Sequence, residues 1–442
     1  MIRIHNGEAV RPADALALRC FPTQFTAKGG ESLLEQNLLT TYLKRTDWFY
    51  LAMCIFCSGV SCLALASIGY SQGGFVLDEM GNIIGLGKYG YAVKQAIGAG
   101  AGVVAAFCLS MIDYRSLARV WPVHVVLTWG AVLPTLILHD FPSATAPFVI
   151  GYSAGNGSEN YSWYKLGGFT VQPTEFAKIS FILTLAMHLD NVRSRVNDPW
   201  ELAKLLAHIA VPMLVIHVQG DDGTALIFGI IGCFMLFTAG LSWKYIAAAA
   251  GAVAAGVGGL LLFAGDKLSG YQWYRIIAIF DPENTTGWAP NAAVYEAYTH
   301  QQARGEIAIG AGGIFGRGWF TENTVYIPYA HNDFIFSWIG NAAGFVGCAV
   351  VVTVLFGLVF RTFTTGQRSA DLLGTYICAG VGGALLAQIV VNLGMNLRVL
   401  PVIGITLPFY SAGMSSTIMM YISVGLVLSV YTHNKKHLFT DR

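Results

Sequence analysis

An acid and a base stand three residues apart in one apolar run, Val171-Gln-Pro-Thr-Glu175-Phe-Ala-Lys178. In a helix that spacing puts Glu175 and Lys178 on one face, and Pro173 suits the first helical turn. Ionisable side chains within a membrane helix are tolerated when they face a cavity or one another. The pair is therefore either a mutually neutralising contact near the interface or a polar patch lining a cavity that opens outward. A second carboxylate, Asp333, closes Tyr329-Ala-His331-Asn-Asp333 just before a long apolar run. There it can cap the helix or accept a proton as a general base, and His331 is a rival base near neutrality. A third acidic point, Gln219-Gly-Asp221-Asp222-Gly-Thr, is a tight turn. It reads as a helix cap in preference to a site holding a divalent cation through oxygen ligands.

Two further patterns carry less. Gly310-Ala-Gly-Gly-Ile-Phe-Gly-Arg-Gly318 has no strand-helix context and no GK[ST] ending, so its glycines serve tight turns rather than phosphate. Cys54 and Cys57 form a CxxC with no second ligand pair for zinc. With Cys62, Cys108, Cys233, Cys348 and Cys378 they lie in apolar runs, and Cys20 lies in the polar N-terminal tail. None sits in a long polar loop open to an oxidising compartment, so no disulfide is expected.

The elements that must position these residues follow from composition. Of 442 residues 55% are hydrophobic and 12% are charged, about half the share of a soluble domain. Mean hydropathy is +0.55, and the 51 glycines suit helices packed closely in lipid. A soluble globular protein, a disordered chain and a cationic nucleic-acid binder are excluded, the last also by a net charge of +1. The expected architecture is an all-α polytopic membrane protein of about ten transmembrane helices. Their spans read as 47–69, 92–112, 118–139, 172–190, 202–218, 223–241, 243–265, 333–360, 371–394 and 413–432. Residues 1–46 form a cytoplasmic tail with no apolar stretch close behind the first residues, so the first span is expected to stay as an anchor. Residues 47–432 form the membrane domain, and 433–442 a second cytoplasmic tail. Counting Lys and Arg with the N-terminus inside gives 17 on the cytoplasmic side and 8 opposite, which places both termini inside. The long outer loops are then 139–171 and, between helices 7 and 8, 266–332. No internal repeat supports an inverted-repeat transporter.

The order of motifs resembles the SEDS family, that of RodA and FtsW, across about Tyr91 to His433. The matching pieces are Ile112-Asp-Tyr-Arg115, Ser162-Trp163-Tyr-Lys165-Leu-Gly-Gly and Gln172-Pro-Thr-Glu175-Phe-Ala-Lys178. Gln219-Gly-Asp221-Asp222-Gly-Thr-Ala and Gly240-Leu-Ser-Trp-Lys244-Tyr follow. The large loop adds Tyr271-Gln-Trp-Tyr-Arg275-Ile, Asp281-Pro and Ile307 through Gly318. His331-Asn-Asp333-Phe-Ile-Phe and Leu400-Pro-Val-Ile-Gly404 through Ser411 to Ser416 complete the series. The chain departs from the family pattern at Arg304, Tyr329, Asn332, Asn341 and Ala412.

This resemblance implies a peptidoglycan glycosyltransferase that polymerises lipid II into glycan strands at the outer face of the bacterial cytoplasmic membrane. The family's essential acid falls on Asp333, the expected general base, and its intramembrane acid and base fall on Glu175 and Lys178. Trp163, Lys165, Arg275, Arg304, His331, Arg398 and Ser411 are the expected substrate-binding residues. The pyrophosphate leaving group would be stabilised by Lys178, Arg304 and Arg398, with or without a divalent cation such as magnesium or manganese. Glu175 and Asp333 are the candidate metal ligands. The implied partners are lipid II, a class B penicillin-binding protein (a single-span transpeptidase) and other elongation or division machinery, with no nucleic acid. A lipid II flippase or a non-catalytic scaffold for a transpeptidase would use similar features; both predict that Asp333 is not needed as a base.

Overall fold

The computed structural model describes residues 46–72, 76–77, 83–143, 145–152, 160–263, 271–281, 283–285 and 292–434. Cys20 and both expected cytoplasmic tails, except for residues next to the helices, lie outside these. Asp47–Arg442 form one compact unit. It begins with α1 (Trp48–Gln72), a short hairpin of β1 (Val76–Leu77) and β2 (Ile83–Gly85), and α2 (Tyr89–Ser110). Then come α3 (Tyr114–Arg119), α4 (Trp121–Ile137) and a three-stranded antiparallel sheet of β3 (Phe148–Tyr152), β4 (Trp163–Leu166) and β5 (Phe169–Val171). The chain continues through α5 (Pro173–Val192), α6 (Pro199–Val218), α7 (Asp222–Thr238) and α8 (Trp243–Phe263). Last are α9 (Tyr271–Phe280), α10 (Ala292–Gly312), α11 (Ile335–Gln367), α12 (Leu372–Asn396) and α13 (Met414–Thr432).

Each of the ten apolar runs falls on a helix. Six of the described helices, α1, α2, α6, α11, α12 and α13, are long and apolar enough to cross a membrane, and α4 and α7 are apolar but shorter. The apolar run of α5 is interrupted by Thr174, Glu175, Lys178, Ser180 and Thr184. Of these, Thr174, Glu175, Lys178 and Ser180 are buried, so its polar groups face protein rather than lipid. Helix starts follow the sequence signals. Asp198 accepts from the amides of Trp200 and Glu201 ahead of Pro199 in α6, and Asp371 accepts from the Gly374 amide at α12.

The two long loops hold more structure than their composition announced. The 139–171 segment contains the β3–β5 sheet, with Val149 opposite Lys165 and Lys165 opposite Thr170. The 266–332 segment contains α9 and α10, the latter rich in Ala, Gln and Glu, which favour helix wherever turn residues do not intervene.

α12 is the centre of the bundle, packed against α5, α7, α11 and α13. Small residues allow this approach. A methyl group on Gly380 would strike Ile182 of α5, and one on Gly383 would strike Phe234 of α7. On the other flank α13 lies along α2, where Gly98 and Gly102 meet Met414 and Tyr421, the close small-residue contact that membrane helices use. The seven described cysteines are free, and Cys54 and Cys57 are buried in the core.

The glycine run after α10 finds its reason in α11. That helix breaks at Gly344, which has φ 65° and ψ −162°, a region open to glycine. The break frees backbone groups that lipid could not satisfy. The 313–318 turn supplies their partners: Phe345 N donates to Gly313 O at 2.9 Å and Val346 N to Ile314 O at 3.1 Å. Arg317 N donates to Asn341 O at 2.9 Å and Gly318 N to Ala342 O at 3.0 Å. The run is a backbone splint for a kinked helix.

Candidate active site

Asp333 precedes α11 by two residues, and two buried asparagines of α12 hold it. Asn392 Nδ2 and Asn396 Nδ2 each donate to the Asp333 carbonyl at 2.9 Å. Asn396 Oδ1 in turn accepts from Ser337 N at 3.1 Å and Ser337 Oγ at 2.6 Å. The amides sit four residues apart on one face of α12, so one helix surface grips the start of another. The carboxylate plays no part in this grip. Nor is Asp333 the helix cap: that position is Phe334, and no side chain caps it.

The 400–412 loop lies against the same point. Asn392 Nδ2 also donates to Ile405 O at 2.7 Å. Gly404, at φ 79°, places its Cα face beside Asp333, where a methyl would come within 3.7 Å of Oδ2. Ser411 Oγ donates to Asn332 O at 2.7 Å and accepts from Leu407 N at 2.8 Å, while Ala412 N donates to His331 O at 2.8 Å. Ser411 therefore shapes the loop, with its hydroxyl proton already committed. His331 stacks on Tyr91 of α2, ring centres 4.0 Å apart. Burial, with Lys88 nearby, pushes its imidazole down to about 4.

That shift makes a prediction. A proton that binds the unfolded chain near pH 6.5 and the folded one near 4 stabilises the unfolded state as pH falls between them. The His331 contribution is thus fully present above about 6.5 and lost as pH falls toward about 4. His331→Phe keeps a ring on Tyr91 without the titration. Its melting temperature in detergent should fall less steeply over this window than that of the wild type. Parallel curves for the two proteins would refute the shift.

Glu175 and Lys178 occupy the first turns of α5. Lys178 Nζ donates to Glu175 Oε1 at 2.7 Å, with each residue 5% exposed. The contact is a buried, mutually neutralising ion pair, and among the described residues Glu175 Oε2 has no hydrogen-bond partner. Beside it, Gln172 Nε2 donates to Asp221 Oδ2 at 2.6 Å. Asp221 Oδ1 accepts from Thr224 N at 3.0 Å as the cap of α7. Burial raises the Asp221 carboxyl above its usual value against these hydrogen bonds, with Glu175 adding to the rise.

The two clusters meet through one loop. Gly223, next to Asp221 and Asp222, abuts the Ile403 carbonyl and the Ile405 side chain, and Gly404 between them faces Asp333. Trp163 and Lys165 stand on β4, between β3 and β5, with Lys165 Nζ 5.3 Å from the Tyr152 ring centre. Arg304 Nε donates to Tyr326 O at 3.0 Å, one residue from Gly305, which packs on Phe334 and Ser337. Arg398, in the left-handed region at φ 59°, pairs with Glu306 at 3.0 Å. Arg275 lies on α9, and its side chain is outside the described residues. Among the described residues no three His, Cys, Asp or Glu side chains converge as a metal cage. Glu175 and Asp333 belong to separate clusters, so a magnesium or manganese ion would have to complete its oxygen shell from substrate or water.

The departure at Asn341 has a structural role: Asn341 Nδ2 donates to Ala308 O at 3.0 Å, joining α11 to α10. Sequence reasoning passed over Asn392 and Asn396. Their signal was present, two amides four residues apart in an otherwise apolar run.

The FtsW/RodA/SpoVE family, described as cell cycle protein, matches residues 80–436. The chain is 33% identical to peptidoglycan glycosyltransferase MrdB of Escherichia coli K12 over 279 residues, 62% of this chain and 71% of that one. It is 28% identical to a probable peptidoglycan glycosyltransferase FtsW of Acinetobacter baylyi over 387 residues, 86% and 87% of the two chains. A solved chain from work on structural coordination of polymerization and crosslinking by a peptidoglycan synthase complex superposes with a TM-score of 0.66. It is 24% identical, covering 88% of this chain and 99% of that one.

Proposed function

This chain belongs to the FtsW/RodA/SpoVE family of cell cycle proteins, and from that premise we propose that it is a peptidoglycan glycosyltransferase acting on lipid II. Relatives that bear the name peptidoglycan glycosyltransferase support the reaction class. The observation that carries the site assignment is the placement of Asp333, its backbone clamped by Asn392 and Asn396 while its carboxylate stays out of the clamp.

In the proposed reaction the 4-hydroxyl of an acceptor sugar attacks the anomeric carbon of a donor, and undecaprenyl pyrophosphate leaves with the bonding pair. Asp333 accepts the hydroxyl proton as the new glycosidic bond forms. The attack comes from the face opposite the leaving group, so the anomeric centre inverts. The departing pyrophosphate needs no proton where cations meet its charge. Arg304 lies beside the Asp333 helix start, and Arg398 and Lys178 are the other cations assigned to this task. Glu175 orients Lys178 through its 2.7 Å bond. His331, held neutral at pH 7 by burial, lines the site without competing for a full charge.

The proposed setting is the bacterial cytoplasmic membrane with both termini inside. The proposed partner is a single-span class B penicillin-binding protein, in keeping with the synthase complex that supplied the superposable chain. The test of function is conversion of purified lipid II to glycan strands by the purified protein. Absence of polymer, with and without the transpeptidase, while lipid II crosses vesicle membranes would favour the flippase. Orientation is tested separately. Reporter fusions after residues 300 and 436 should report outside and inside respectively, as the 17-to-8 distribution of basic residues requires. Both on one side would remove the outer-face site.

A further inference from the structure

At the end of α5 opposite Glu175, a cavity of about 660 Å³ opens between α4, α5 and α6. Glu175 and His188 are thirteen residues apart, roughly 20 Å along a helix, so this is not the site described above. The cavity walls are apolar, with Trp121, Trp129 and Phe181, and its polar end holds His188, Asn191 and Lys204. A size of this order suits a small ligand or one end of a larger one.

The polar end is a hydrogen-bonded chain. Thr184 Oγ1 lies 3.2 Å from His208 Nε2, and its hydroxyl proton can go to that ring nitrogen. His208 Nδ1 and His188 Nδ1 share one proton across 3.1 Å. His188 Nε2 makes no hydrogen bond among the described residues. With the shared proton on His208 Nδ1, a neutral His188 carries its own proton on Nε2 and donates it to an anion in the cavity. Lys204 stands at the same mouth. Its partner Glu201, at 3.3 Å, is shared with Arg195 at 3.6 Å, so this group keeps a net positive charge.

We propose that the cavity between α4, α5 and α6 binds one anionic, phosphate-headed membrane lipid, its phosphate among His188, Asn191 and Lys204 and its chains along the tryptophan wall. Basic pockets between membrane helices recognise lipid headgroups by this combination of charge and apolar flank. The inference rests on the membrane reading of the chain and not on glycan polymerisation.

Native mass spectrometry of the full chain in detergent tests it, with added phosphatidylglycerol or phosphatidylcholine of the same acyl chains. Phosphatidylglycerol should be retained about tenfold more strongly, the equivalent of one charge-assisted hydrogen bond. The preference should vanish in His188→Leu/Lys204→Gln and weaken in Lys204→Gln, an exposed change that leaves the fold intact, while Lys204→Arg retains it. Equal retention of both lipids, or a preference that survives the double variant, overturns the proposal. Displacement of the lipid by millimolar inorganic phosphate would assign the site to a soluble anion and overturn it as well. Lipid retention is read without glycan synthesis, so its failure and failure of the polymerase reading are separate results.

Discussion

Asp333→Asn should abolish most polymerisation while leaving the protein folded. The clamp from Asn392 and Asn396 reaches the Asp333 carbonyl, not its side chain, so the substitution leaves that clamp at the start of α11 in place. Asn is the same size as Asp and fits the space beside Gly404, where Oδ2 has a glycine neighbour. What disappears is the ability to accept a proton, an effect typically worth at least about 10²-fold in rate. Lipid II polymerisation by the purified variant should fall by that factor, with an unchanged melting temperature. Asn396→Ala offers the contrast. It removes one of the two bonds to the carbonyl and both Ser337 contacts together, so activity and melting temperature should fall in step. If Asp333→Asn remains active while His331→Phe is dead, the base has been assigned to the wrong residue.

Lys178→Met should be the most destabilising single change among the polar residues of α5. It leaves the Glu175 carboxylate buried at 5% exposure with its 2.7 Å partner gone. Breaking a buried pair in this way costs about 3–5 kcal/mol, whereas replacing both members is often neutral. Thermal unfolding in detergent should therefore show a large loss in Lys178→Met and recovery in Glu175→Gln/Lys178→Met. Activity separates the two roles of the pair. If the charges serve the reaction, the double variant regains stability but not polymerisation. If polymerisation returns with stability, the pair is structural and Lys178 does not meet the leaving group.

The residues that carry these tests were legible to different degrees. Glu175, Lys178 and Asp333 stand out in the sequence because ionisable groups in or beside apolar runs are unfavourable without a reason, and the order of motifs around them resembles one family. The helices were equally legible, since a 20-residue apolar run has few other ways to satisfy its backbone in lipid. Less legible were the long connecting segments. Nothing in 139–171 alternates cleanly enough to announce three strands, and α10 reads as loop because its residues are polar rather than periodic.

The sequence by itself determined the membrane class, the helical runs, the family and the small set of charged residues worth testing, because each depends on local composition and spacing. Only the tertiary structure decided how those residues are used. Asp333 could have been a cap until Phe334 was seen at the helix start, and Glu175 and Lys178 shared only a spacing until both proved buried and in contact. The glycines of 310–318 gained their purpose from a kink in α11, up to 34 residues further along the chain. Asn392 and Asn396 became part of the site because α12 lies against the start of α11. Such roles depend on which surfaces meet, and that is a property of the packed bundle rather than of any stretch of sequence within it.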